Sequence, residues 1–303
     1  MHKFIGLTRR NLLVYFKDRT SVFFSMLTPL IIFVLYLLFL RQTYVNSIEN
    51  AAEALMDFIQ SDDIAALSNG LLLTGIMGAA LINIPYNCLF TMIRDREAKV
   101  DYDICATPVS RVQIILSYFT ASAISAFLMT SVIFGAGIAI LCASCKMYLT
   151  FQTLLALFGV ILIGSVSSTA IFMTILMFFK NSSSGAAFLG ILSAGSGFVI
   201  GAYIPLSEFS EGISTICHLF PATCISVLIR RFLLTGVLDH IDEGIGGIDN
   251  GLFTASVRNS FSFQSVLSGK AFGWNQTMIY VMIVTGFFLL ATALIYPRIY
   301  KRK

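Results

Sequence analysis

Charged residues are missing from six long stretches of this chain, at 22–40, 70–93, 112–141, 151–179, 184–204 and 278–296. A helix needs about 20 apolar residues to cross a bilayer, and each stretch is about that long or longer. In lipid the backbone must satisfy its own hydrogen bonds, so these stretches fold as helices. The expected fold class is an all-α polytopic membrane protein with six transmembrane helices, in one domain over residues 1–303. Only 12% of the residues are charged, against about 25% in soluble domains. The shortfall runs along the whole chain, which argues against a large soluble domain.

The basic residues set the orientation. Lys3, Arg9, Arg10, Lys17 and Arg19 precede the first span, and Arg94, Arg96, Lys99 and Arg111 lie between the second and third. Lys180 separates the fourth from the fifth, and Arg298, Lys301, Arg302 and Lys303 follow the sixth. These are 14 of the 20 Lys and Arg residues, all on one side of a six-span plan. Cytoplasmic loops carry the Lys/Arg excess, so both termini are expected in the cytoplasm. The acidic residues Glu49, Glu53, Asp57, Asp62 and Asp63 fall on the other side. The first apolar run is too long for a signal-peptide core, which spans roughly 7–15 residues. It reads as a retained signal anchor, and the compact plan fits a bacterial plasma membrane.

Between the spans the chain varies in character. Residues 1–21 read as an interfacial helix, with Phe4, Ile5, Leu7, Leu12, Leu13 and Phe16 among cations; the plainer reading is a positive flank. Residues 41–69 form a polar, acidic outer loop. Residues 205–275 are an outer region whose two apolar runs, 212–220 and 222–238, are interrupted by His218, Pro221, Arg230 and Arg231. Short apolar runs read as re-entrant pieces, so a helical hairpin dipping into the outer leaflet is expected before the last span. Gly197 and Gly201 form a GxxxG, a spacing that suits helix packing or a subunit interface. Asn83, Pro85 and Asn87 are the most polar cluster within a span. They make either a locally satisfied kink or the lining of a path.

Several chemistries lack their residues. No span carries Asp, Glu or Lys near its middle, the usual relay of an ion-coupled carrier. There is no phosphate-binding loop: Gly269-Lys270 lacks the upstream glycine and the following Ser/Thr. His2, His218 and His240 are isolated, and no catalytic or metal constellation is visible. Cys142-x-x-Cys145 without a second pair is a weak metal or redox signal, and a Cys217–Cys224 disulfide is left open. An enzyme is not expected, nor any metal or cofactor on this chain. Uphill transport would need energy from another chain. The alternatives are a stand-alone ion-coupled carrier or channel and, more remotely, an intramembrane enzyme acting on lipid.

The loop at 94–111 reads Arg-Asp-Arg-Glu-Ala-Lys-Val-Asp-Tyr-Asp-Ile-Cys-Ala-Thr-Pro-Val-Ser-Arg. Pro108 stops a preceding helix, and Ser110 is placed to cap the next. The product is a short charged knob tied to two spans. This loop resembles the coupling loop of the type-2 ATP-binding-cassette (ABC) exporter permeases, in which an acidic-basic helix runs into a similar Thr-Pro-Val-Ser-Arg end. Arg10-Asn11, Asp18-Arg19 and Pro29 resemble that family's leading helix and first span. Pro205-Leu206, Phe220-Pro221 and Ile229-Arg230-Arg231 resemble its outer hairpin. Asp101-Tyr102-Asp103-Ile104 departs from the Gly-Thr-Leu-Glu-like run of many relatives, and residues 239–275 look longer than usual.

The resemblance implies a permease subunit that moves an amphipathic or hydrophobic substrate (drug, lipid, peptide or glycan-lipid) out of the cytoplasm. It implies a second permease copy or a related permease. It also implies a separate nucleotide-binding subunit that carries the ATP and Mg. Arg94, Glu97, Asp101, Thr107, Pro108 and Arg111 would then serve coupling to that ATPase. Phe4, Arg10, Phe16 and Asp18 would relay motion, and Pro205, Phe220, Pro221, Arg230 and Arg231 would shape the outer gate. The 27 Phe residues suit a cargo that enters from the bilayer, or ordinary packing.

Overall fold

A computed structural model describes residues 2–52, 59–246, 249–267 and 269–299. Glu53, Asp57 and Lys301 to Lys303 of the charge argument lie outside them, as does the side chain of Arg298. The chain is almost entirely helical. Helix α1 (His2–Lys17) is followed by α2 (Arg19–Leu35), and Asp18 caps α2 by accepting from the Ser21 N–H at 3.2 Å. A π-turn at Tyr36–Leu40 joins α2 to α3 (Arg41–Ala51) without a break, so the helical path runs beyond the expected end of the first span.

Helix α4 (Ser61–Glu97) begins well before residue 70. Asp62 and Asp63 sit in its first turn and Arg94 and Arg96 in its last, both favourable against the helix dipole. At 1.5 Å per residue it is about 55 Å long, longer than the hydrocarbon core. It is also the axis of the molecule, since nearly every residue from Asp63 to Asp95 is buried. A short α5 (Val100–Ala106) follows through Lys99 in the left-handed conformation, φ 61°. Helix α6 (Arg111–Ser144) opens with a capping box between Ser110 and Gln113. Helices α7 (Phe151–Leu176) and α8 (Ser182–Val199) follow, each capped by a side chain, Thr150 and Asn181 respectively.

The outer region is more regular than its sequence suggests. After a 3-10 turn at Leu206–Glu208 come α9 (Glu211–His218), α10 (Pro221–Ile245) with Pro221 at its first turn, and α11 (Leu252–Ser260). A two-stranded hairpin of β1 (Ser265–Leu267) and β2 (Lys270–Phe272) leads into α12 (Trp274–Ile299). Seven helical stretches among the described residues are long and apolar enough to cross a membrane. They are the six expected ones and α10, which the sequence presents as an apolar run, 222–238, interrupted by Arg230 and Arg231.

Close contacts register α10 against α4. Gly78 faces Ser226, Gly70 faces Leu234, and Asp63 lies 3.4 Å from His240. The two helices are antiparallel, and α10 starts near the level of Tyr86, where Phe220 and Tyr86 both touch Phe172. From there α4 continues about three turns to Glu97. Helix α8 and the turn after it face α4 from Ile93, by Gly185, to Gly75, by Ala202, so α8 is also antiparallel to α4.

Gly197 and Gly201 do not sit on one helix face. Gly201 lies past the end of α8 with φ 74°, and both glycines are closed over by Tyr203 and Leu206 of the same turn. The expected GxxxG packing is therefore replaced by a reverse turn. Glycines of α4 and α7 make the close helix approaches instead. A Cβ at Gly78 would stand 2.4 Å from Ile200, and one at Gly164 would stand 2.8 Å from Ile225.

Candidate functional site

Four consecutive charged residues end α4, and each grips a different element. Arg94 pairs with Asp18 at the joint between α1 and α2. Asp95 accepts both terminal nitrogens of Arg10 on α1, one at 2.9 Å, and also the hydroxyl of Tyr118 on α6. Arg96 donates to the carbonyls of Met177, at 3.1 Å, and Phe179, just past α7. Glu97 accepts the backbone N–H of Ser182 at the start of α8, at 3.1 Å. A helix of 3.6 residues per turn aims four successive side chains roughly 100° apart, which is why one short run reaches four neighbours.

The clasp is electrostatically matched. The pair between Arg10 and Asp95 is two-pronged, the strong form of a charge-assisted bond, and Asp95 is only 7% exposed. Asn11 supports it from α1 by donating to Ser117 at 3.4 Å. Side-chain bonds from Ser21, and then from Arg94, hold the Asp18 carboxyl down at about 2. Helix α1 docks through Thr8, Asn11 and Tyr15 and leaves Ile5, Leu13 and Phe16 exposed. Its outward face is thus apolar, with Arg9 and Lys17 beside it. Phe4 is half-buried on the docked side.

Helix α5 projects from this clasp. Ile104 is its buried anchor, and Asp101 is half-buried, with burial raising its carboxyl above the usual range. Tyr102 is 70% exposed, beside exposed Asp103 and Lys99. Thr107 closes the helix by donating to the Ile104 carbonyl at 2.6 Å, and the Pro108 carbonyl accepts from Lys3 at 3.4 Å. Arg111 opens α6. Of the six residues expected at this loop, Arg94 and Glu97 are exposed but held by Asp18 and the Ser182 N–H, and the most exposed aromatic of α5 is Tyr102. Asp95, Arg96, Tyr118 and Tyr102 were missed. The run Arg-Asp-Arg-Glu was the available signal, but its division among four helices depends on tertiary packing.

At the opposite end, Arg230 is buried at 4% exposure with no carboxylate among its partners in the described residues. Its Nε donates to Thr74 at 3.3 Å, and its Nη1 donates to the carbonyls of Phe261 and Ser262. It locks α10 to α4 and to the turn after α11. Pro205 precedes the 3-10 turn, Phe220 caps α10, and Arg231 is half-buried. Asn83 donates to Ala79 and to Ser196 and accepts from Ser193, so the polar cluster of α4 is satisfied by its own helix and by α8. Cys217 and Cys224 are buried free thiols, and no metal-binding group occurs among the described residues. A groove of about 670 Å³ lies between α2, α4 and α6, walled by Phe23, Leu30, Phe33, Leu73 and Ile133 and rimmed by Arg41, Asn69 and Ser144.

The sequence model of the ABC-2 family transporter proteins matches residues 42–295. The chain belongs to the ABC-2 transporter family. The match runs from α3 to the last turns of α12 and includes the whole clasp of α4, helix α5 and the outer helices. Among individually curated proteins none matches. This ABC-2 family member is a multi-pass membrane protein, and its domain is a transport permease, not a catalytic domain.

Proposed function

We infer that the chain is the membrane subunit of an ATP-driven exporter, with ATP and Mg bound by a separate nucleotide-binding subunit docked at α5. The observation that carries this reading is the coupling of an exposed knob to a four-way clasp. A push on Tyr102, Asp103 and Lys99 reaches α4 directly, and through residues 94–97 it reaches α1, α6, α7 and α8 together. Two-state closures need such an element, one that biases several helices at once. In this account Arg94 and Glu97 transmit force, Asp101 and Tyr102 receive it, and α1 lies along the inner membrane surface.

The first turn of α1 and the last turns of α12 share the α5 end, and that end holds Lys3, Arg9, Arg10, Lys17, Arg19, Lys99 and Lys180. This supports a cytoplasmic placement in the plasma membrane. Helix α10 starts partway along α4, which supports a hairpin with α9 that enters from outside and returns, leaving six full spans. The apolar groove between α2, α4 and α6, with Arg41 at its outer rim, suits an amphipathic or hydrophobic cargo taken from the bilayer. Helix α8 is mostly exposed within one chain: Ile191 is 74% exposed, and nothing covers Gly190 or Gly195. A second permease against that face would bury it, small residues allowing close approach.

Replacing Glu97 and Asp101 with Lys tests the reading. ATP hydrolysis by the assembled transporter should persist while transport falls, with the permease still folded. Unchanged coupling contradicts the assignment.

A further inference from the structure

A second cavity, of about 220 Å³, lies among α9, α10, α11 and the β hairpin, at the end away from α5. Arg231 and Arg258 line it together with His218, Ser207, Asn259 and Gln264, and no carboxylate is among its described lining residues. Two arginines lining one small space, with no acid among its described lining residues, give it a positive potential. Arg258 does pair with Asp239 at 3.5 Å, but both of those side chains are exposed and the contact is well screened.

His218 adds a more specific demand. It is 1% exposed, and its Nδ1 sits 2.8 Å from the Ser214 carbonyl. A carbonyl can only accept, so Nδ1 is the donor, and in the neutral ring Nε2 is an acceptor. That Nε2 is buried and has no hydrogen-bond partner among the described residues. Unpaired buried polar atoms are uncommon, and this one belongs to a side chain that lines the cavity. The wall therefore offers two cationic donors, neutral amide and hydroxyl groups, and one acceptor that wants a proton donor.

We propose that this cavity binds a phosphate group carried by a hydroxylated moiety, of which glycerol phosphate is the smallest representative. The arginines take the phosphate oxygens, for which their fork geometry is suited. A ligand hydroxyl donates to His218 Nε2. The space is below the roughly 300–1,000 Å³ of a pocket for a drug-sized ligand, so it admits a headgroup and excludes an acyl chain. The same chemistry is offered by a soluble glycerol phosphate and by the headgroup of phosphatidylglycerol. The inference goes beyond the transport reading, since binding here requires neither ATP nor a partner subunit.

The test uses the full chain in phosphatidylcholine nanodiscs and equilibrium dialysis with radiolabelled glycerol 3-phosphate. A parallel arm measures retention of phosphatidylglycerol against phosphatidylcholine by native mass spectrometry. Saturable binding in the first arm identifies a soluble ligand, and selective retention in the second alone identifies a lipid headgroup; either supports the site. Arg231→Gln and Arg258→Gln should each weaken binding about ten-fold, the loss of one charge-assisted contact. The double variant should abolish it, and Lys270→Gln, on β2 outside the lining, should leave it intact. Should the arginine variants fail to fold, competition on the wild-type chain decides: inorganic phosphate displaces the label and neutral glycerol does not. No saturable binding in either arm, binding unaltered in a folded double variant, or displacement by glycerol overturns the proposal.

Discussion

Asp95 is the residue on which the inner end depends most. It accepts from Arg10 and Tyr118 while nearly buried, so removing its charge strands two donors. Asp95→Asn should cost about 2–3 kcal/mol, read as a lower melting midpoint in detergent. Arg10→Lys should recover little of an Arg10→Ala loss, because an ammonium cannot make the two-pronged contact. Asp18 gives a pH signature. Its folded value of about 2 lies below the ordinary 3.8. The stability it contributes is therefore complete above pH 4 and is lost as pH falls from about 4 to 2. Amide exchange in the first turn of α2 should accelerate over that window, and in Asp18→Asn it should be fast throughout. None of these pairings could be read from the sequence. Arg10, Asp18 and Arg94 stood out as charges near a predicted membrane surface, but a charge run is equally consistent with solvated side chains.

Among the elements, the apolar helices were legible because their signal is local and strong, a run of about 20 uncharged residues. Their ends were not, because extensions such as Ser61–Asn69 of α4 are polar and are held helical by tertiary burial of Ile64, Leu67 and Ser68. Helix α10 was passed over as a span for the same reason: Arg230 looks out of place in an apolar helix until Thr74 and two backbone carbonyls are found around it. The close register of α4 against α8 and α10 yields a test. Gly78→Val places a Cβ within contact distance of Ile200 and Ser226, and overpacking of this kind costs about 1–3 kcal/mol. Its effect should appear as faster exchange of α8 and α10 with α6 unaffected. Helix α5 gives the opposite expectation. Tyr102→Ala with Asp103→Lys changes only exposed groups, so the melting midpoint should stay put while binding of the nucleotide-binding subunit is lost. A drop in stability instead would mean that the outer face of α5 is structural.

In the whole molecule, one end is a charged clasp with a projecting knob, and the other is a cap of short helices over α4 and α10. The span pattern and the 94–111 loop made the family legible, because both are contiguous in sequence. The cavity of His218, Arg231 and Arg258 was not, since its walls come from three successive helices and a hairpin whose mutual packing leaves no local pattern in the sequence. The most direct test of the account is affinity purification of the tagged chain from its native membrane, with mass spectrometry of what accompanies it. The account predicts a P-loop ATPase at about one copy per permease, lost when Tyr102 and Asp103 are replaced. Recovery of the chain alone, stable, monodisperse and able to transport in liposomes without an ATPase, would contradict it.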